Sequence, residues 1–203
     1  WLSRSAKADY KVLFVNQALM MGIGPRLVSK LAIATLLFES LHIWLDGRTI
    51  LLLAAPAWMI SGLFTFSIFL IDDVSKYLVH RALHRWPMLW AFHKVHHTAE
   101  TLTPLTVFRT HPVEALIFSL RSIIVQALAI GTFLFFFGAR VEIFTVLGAN
   151  ILLFLFNIVG SNLRHSHIRI TYGRFLEHIV ISPAQHQVHH SAAHQHNDKN
   201  FGA

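Results

Sequence analysis

The sequence predicts an all-α integral membrane protein, a helical bundle of about four transmembrane helices carrying a histidine-rich helical cap on its cytoplasmic side. Three observations predict it. The chain of 203 residues is 54% hydrophobic and only 13% charged, where water-soluble domains carry roughly 25% charge. Several apolar runs approach or exceed the roughly 20 residues needed to cross a bilayer. The histidines, fifteen in all, gather in short clusters beyond those runs. The formal charge of +7 does not point to nucleic acid. The basic residues stand beside apolar runs and histidines, as on the positive cytoplasmic face of a membrane protein. Cysteine is absent, which excludes disulfides, thiolate zinc sites and iron–sulfur clusters. Any metal must be held by histidine and carboxylate.

Residues 1–48 read as N-terminal membrane helices and residues 49–203 as a single domain. Within the first part, residues 11–24 are apolar but short and carry Asn16 and Gln17. They form either part of a span or an interfacial helix, broken by Gly24 and Pro25. Leu27 to Leu45 is a span interrupted by Glu39 and His42. A lone histidine on an apolar face is ordinarily a hydrogen-bonded core residue, and His42 is read so. Asp46, Gly47 and Arg48 form a polar turn. From Thr49 the chain is apolar to Ile71 and runs on without a breaker to His84, with Pro56 as the expected kink. Pro87 ends that helix and AFHKVHH begins a short one. Residues 98–112 are polar and irregular. Pro112 opens the next apolar segment, inside which lies Arg121. Either that span starts after Arg121 or Arg121 faces a protein interior. Gly138, Ala139 and Arg140 form a tight turn, and Val141 to Gly160 is the following span. Trp1 and Ala203 read as trimmed ends, without a signal peptide.

Two spans separate the early histidine clusters from the last one, and two spans make a hairpin. The clusters therefore return to one membrane face, together with Arg81, Arg85, Lys94, Arg109, Arg164, Arg169 and Arg174. The excess of Lys and Arg in these short loops makes that face cytoplasmic.

The clusters carry the chemistry. In HRALH, His80 and His84 are four apart and share a helix face. At about 100° per residue, Tyr77 and Asp73 fall within roughly 60° of the same line. A metal-bound imidazole usually gives its second N–H to a carboxylate, carbonyl or water, and Asp73 is placed for that role; Asp72 points elsewhere. In HKVHH, His93, His96 and His97 stand at i, i+3 and i+4, and HQVHH repeats the spacing with His186, His189 and His190. Imidazole suits iron, zinc and copper. Adjacent histidines can serve neighbouring metals, and eight ligands are too many for one tetrahedral ion. One HxxxH arises often by chance. Three such clusters on one membrane face would repel one another if protonated, and would leave many unmet donors and acceptors if neutral. Metal resolves both, so the cap is read as metal-binding.

These motifs, set between membrane spans, resemble the fatty acid hydroxylase/sterol desaturase superfamily. DDVSKYLVHRALHRWPMLWAFHKVHH is similar to its D-x-x-x-Y-x-x-H-R-x-x-H…L-W-x-x-H-x-x-H-H pattern, and FRTHPVE to its R-x-H-P-x-E stretch. LRHSHIRITYGRFLEHIVISPAQHQVHH and DKNFGA resemble its two later motifs. The likeness covers roughly residues 49–203. It implies ligands at His80, His84, His93, His96, His97, His186, His189 and His190. It adds His165 as a further ligand, and His167 as a ligand or a neighbour of one, where family members often have Asn. His111 either completes the site or caps the helix that Pro112 begins. His178 is read as structural, and His194 and His196 as loop residues near the site mouth.

The resemblance implies a membrane di-iron oxygenase that hydroxylates or desaturates a lipid, a sterol, fatty acyl chain or relative. It would hold two iron ions, with zinc as a possible substitute, and use O2. No flavin, nicotinamide or haem motif is visible, so a separate reductase is the expected electron donor. Phe133, Phe135, Phe136, Phe137, Phe154 and Phe156 could line a lipid route, but at helical spacing they are read as packing or lipid-facing residues. Two rivals from other classes are a zinc-containing hydrolytic protein and a histidine-rich membrane metal transporter. A transporter should place its ligands near mid-span, whereas these clusters follow the spans.

Overall fold

A computed structural model describes residues 3–23, 29–46, 55–141, 143–191, 193–196 and 199–201. Every regular element among them is helical. They are α1 (Arg4–Ile23), α2 (Lys30–Trp44), α3 (Ala57–Arg85), α4 (Pro87–His97), α5 (Pro112–Phe137), α6 (Ile143–Asn157), α7 (Gly173–Leu176) and α8 (Pro183–His189). Proline lacks an N–H and has a fixed φ, so it suits the first helical position and breaks a helix elsewhere. Pro87, Pro112 and Pro183 occupy that position in α4, α5 and α8. Pro56 does not kink α3. It stands directly before it, and its carbonyl accepts from the amides of Met59 and Ile60.

Three helical stretches are long and apolar enough to cross a membrane among the described residues: Ala57–Arg85, Pro112–Phe137 and Thr145–Asn162. At 29 residues, α3 is about 43 Å long, comparable with a bilayer including its headgroups. Exposed Trp58 lies at one end and exposed Trp86 just past the other, the places where aromatic anchors sit. The expected Leu27–Leu45 span corresponds to α2, with 15 described residues; Leu27 and Val28 lie outside the described residues, as do residues 47–54. Residues 11–23 of the 11–24 stretch belong to the longer α1, and Gly24 and Pro25 lie outside the described residues.

The chain divides into two compact units. One comprises Trp1–Pro25, Lys76–Phe118 and Leu155–Ala203; the other comprises Arg26–Ser75 and Ser119–Phe154. The second unit is packed with apolar side chains. Phe64, Ile68, Ala129, Ala149 and Leu153 form one cluster, and Ala55, Ile60 and Phe137 another. Phe133 meets Phe64 edge to face and stacks on Phe137, so these phenylalanines are core residues, while Phe154 faces outward. Gly131 lets α2 and α5 approach: a Cβ there would lie 2.8 Å from the Ala34 carbonyl oxygen. His42 donates Nδ1–H to the Phe38 carbonyl and packs on Phe135. Arg121 faces the protein, pairing with Asp72 at 2.8 Å and donating to Ser75 Oγ.

The first unit is fastened by buried polar groups instead. Asp9 of α1, fully buried, faces Arg109 Nε at 3.4 Å and accepts from Thr106 Oγ1 at 2.9 Å and Thr103 Oγ1. Arg109 also donates to Ser5 Oγ, and Asn16 donates to the Thr110 carbonyl. These bonds tie α1 to the irregular segment between α4 and α5, which contains the single 3₁₀ turn Thr106–Phe108.

Candidate metal centre

Nine histidines of the first unit converge into two groups. His80, His84, His93, His97 and His189 form the first; His96, His165, His186 and His190 form the second; in each, the ligand atoms lie within 4.8 Å of one another. The spacing explains the sorting. In a helix, residues four apart stand about 40° apart, while the residue between them at i+3 is turned roughly 100° from i+4. So α4 gives His93 and His97 to the first group and His96 to the second. Helix α8 does the reverse, giving His189 to the first group and His186 and His190 to the second.

Each donor is set by its own local structure. His80 and His84 ride on the last turns of α3. Helix α8 has only seven residues, too few to be stable alone. A capping box secures its start: Ser182 accepts from the Gln185 amide, and the Gln185 side chain accepts from the Ser182 amide. α6 ends in a π-helical turn, Ile158–Asn162, and the Ser161 carbonyl in it accepts Nδ1–H of His165 at 2.6 Å. The segment after α8 supplies two more acceptors. His189 donates to the Lys199 carbonyl at 2.8 Å and His80 to the Phe201 carbonyl at 3.1 Å. Asn200 between them has φ +58, a left-handed conformation that Asn tolerates better than most residues, and its side chain is tied to the Gln185 carbonyl.

The arrangement fits metal ions. In the first group, Nε2 of His84, His93, His97 and His189 is buried without a hydrogen-bond partner. At roughly 1–3 kcal/mol for each unmet group, four of them cost a sum comparable with the about 5–15 kcal/mol stability of a typical domain. In the second group, successive Nε2 atoms of His96, His165, His186 and His190 lie 3.1, 2.9 and 3.1 Å apart. Two imidazoles at about 2.1 Å from a metal stand about 3.0 Å apart at right angles, so this spacing is that of neighbouring ligands. Burial, reinforced by neighbouring histidines, holds His96, His97 and His186 well below the usual histidine range. Burial takes His165 to about 3 and His190 to about 2. All are neutral at physiological pH, the form that binds metal.

The other expected residues are placed as follows. His167 is exposed and belongs to neither group. His111 also stays outside: its Nδ1 accepts from the Val113 amide, which caps α5. His178 is exposed and bonds the Arg174 carbonyl. His194 and His196 lie in a 3₁₀ turn, and His196 lines a cavity of about 520 Å³ with Arg169, Gln187 and Asn200. Tyr77 accepts from Arg81 at 3.4 Å, and Asp73 is partly buried on the same α3 face. Among the described residues, Glu114 bonds a clustered histidine: its Oε1 accepts Nδ1–H of His93 at 2.8 Å. Sequence reasoning passed over it; the signal was the final residue of FRTHPVE, two residues after Pro112 in the first turn of α5. The two carbonyls of Lys199 and Phe201 were missed as well, inside the DKNFGA motif.

The sequence model described as fatty acid hydroxylase matches residues 65–203. No curated protein and no solved structure matches the chain.

Proposed function

Because the chain belongs to the fatty acid hydroxylase family, we propose that it is a membrane-bound di-iron oxygenase that hydroxylates or desaturates a lipid. The observation that supports this reading most is the convergence of nine histidines into two adjoining groups of five and four, at the ends of helices apolar enough to span a bilayer. His80, His84, His93, His97 and His189 would hold one iron, and His96, His165, His186 and His190 the other. Iron held by neutral imidazoles supplies the O2 activation and redox chemistry that breaking an unactivated C–H bond requires.

The residues of the chain do the rest. Helices α3, α4 and α8 present the donors on rigid backbone. Glu114 and the carbonyls of Ser161, Lys199 and Phe201 fix ring orientation and tautomer at His93, His165, His189 and His80, as outer partners of metal-bound imidazoles do. The lipid enters from the bilayer, where its chain or ring system meets the centre without leaving an apolar medium. Inserting one oxygen atom from O2 into a C–H bond and reducing the other to water consumes two electrons and two protons. The electrons come from a separate reductase partner. The basic residues Arg81, Arg85, Lys94, Arg109, Arg164, Arg169 and Arg174 near the clusters support a cytoplasmic side for the centre, with α2 proposed as a fourth membrane helix. His167 stays a candidate only for a role beside the ligands. Asp73 and Tyr77 are assigned positioning roles on the face of α3 that carries His80 and His84. Asp73→Ala should weaken metal affinity by about 10–100-fold; unchanged affinity would leave Asp73 with a purely structural role.

The deciding experiment is metal analysis with Mössbauer spectroscopy on detergent-purified protein grown on labelled iron. Two coupled irons per chain are expected. Zinc, or no iron even after anaerobic reconstitution, would remove the redox reading and leave a hydrolytic or structural site.

A further inference from the structure

The two histidine groups are braced unequally. In the first, His80 and His189 donate to carbonyls and His93 donates to a carboxylate. In the second, His165 alone among the described residues has such an outer partner, while Nδ1 of His96, His186 and His190 is buried without a hydrogen bond among them. Glu114 itself is unusual. Three acids are buried among the described residues, Asp9, Asp72 and Glu114. Asp9 faces Arg109 and Asp72 faces Arg121. Glu114, 2% exposed, instead faces His93, and its Oε2 has no hydrogen-bond partner. A buried carboxylate needs a compensating positive charge. The direction in which one is missing is through His93, whose buried Nε2 is also unpartnered and belongs to the first group.

We infer that Glu114 is a positioning residue that makes the two metal positions unequal, so that the group containing His93 binds its metal first and more tightly. This rests on the two-metal reading above. A charge-assisted hydrogen bond from Nδ1–H to a carboxylate fixes the ring and increases the basicity of Nε2. A cation held at Nε2 of His93 would then supply the counter-charge that the Glu114 carboxylate lacks. No such donor–acceptor pair exists in the second group among the described residues.

The test is titration of the chelator-stripped, detergent-solubilised protein with Co2+, whose visible absorption reports each site separately. The wild type should fill in two phases, the first equivalent tighter. Glu114→Gln keeps the shape and a hydrogen-bond acceptor but removes the charge. It should weaken the first phase by about 10–100-fold and leave the second unchanged, with the same helical circular dichroism. In a His93→Ala background the same change should add no further loss. Equal weakening of both phases, no weakening, or an undiminished effect without His93 would each overturn the inference. If Glu114→Gln does not fold, the wild-type titration still decides: two indistinguishable equivalents overturn it. A wild type that binds no Co2+ would instead overturn the metal reading itself.

Discussion

In the unit that holds Phe64, Ile68, Ala129, Ala149 and Leu153, burial is almost wholly apolar. In the unit that holds the histidines, the buried side chains include Asp9, Arg109, Glu114, Arg164 and five of the clustered imidazoles. The difference teaches where each unit is vulnerable. Apolar helices in lipid gain little from hiding oily surface and rely on close packing, so small changes of volume cost modest amounts. Buried polar groups are tolerable only while partnered, so removing one partner costs far more than a methylene does.

Acid should widen this contrast most. With metal removed, neutral His165 and His190, held near 3 and near 2, meet an unfolded chain whose histidines titrate at about 6.5. Between those values the unfolded state binds more protons, so stability falls as pH drops below about 6.5 and is unaffected by these groups above it. Thermal unfolding of chelated protein across that range should show melting of the histidine unit moving down in acid, with metal addition raising the melt at neutral pH. A pH-independent melt would show that these rings are not buried neutral. Next in size is His189→Ala, which removes one donor from the first group and should abolish oxidation and empty one metal position while membrane insertion persists. Full activity would end the ligand assignment.

Asp9→Ala sharpens the comparison without touching a donor. It strands Arg109 in the interior, and loss of one partner of a buried ion pair costs about 3–5 kcal/mol. Denaturant unfolding should register that loss, and a loss below about 1 kcal/mol would mean Arg109 finds another acceptor. The smallest effect belongs to the apolar unit. Gly131→Ala pushes a methyl to 2.8 Å from the Ala34 oxygen and 3.1 Å from Leu37 Cδ2, an overpacking worth about 1–3 kcal/mol. Metal stoichiometry should stay intact. Loss of metal in that variant would contradict the division of labour drawn here.

Local signals were readable in the chain and distant ones were not. Pro87, Pro112 and Pro183 mark helix starts because their ring geometry acts within one turn. HRALH, HKVHH and HQVHH announce shared helix faces because i, i+4 spacing is a property of the helix alone. Spacing also turns His96 away from His93 and His97, but which histidines of other elements complete each group depends on the position of α8, which spacing does not supply. The pairing of Asp9 with Arg109 joins residues that are remote in sequence, and backbone acceptors such as the Lys199 and Phe201 carbonyls leave no side-chain signature. Pro56 misled because proline inside an apolar run reads as a kink, when the helix simply begins after it. His167 stands two residues from His165, but it is exposed, whereas the Ser161 carbonyl holds the buried His165 ring.

The carbonyls of Lys199 and Phe201 have one more implication, for the order of events during synthesis. Donors of the first group are spread from His80 to His189, and two of them lean on a strap around Asn200 that leaves the ribosome later than every ligand. Until that strap emerges and docks, the rings of His80 and His189 lack their acceptors. A nascent chain can therefore place α3 and α5 in the membrane well before the first histidine group is complete, so on the proposed two-metal reading metal loading would follow insertion.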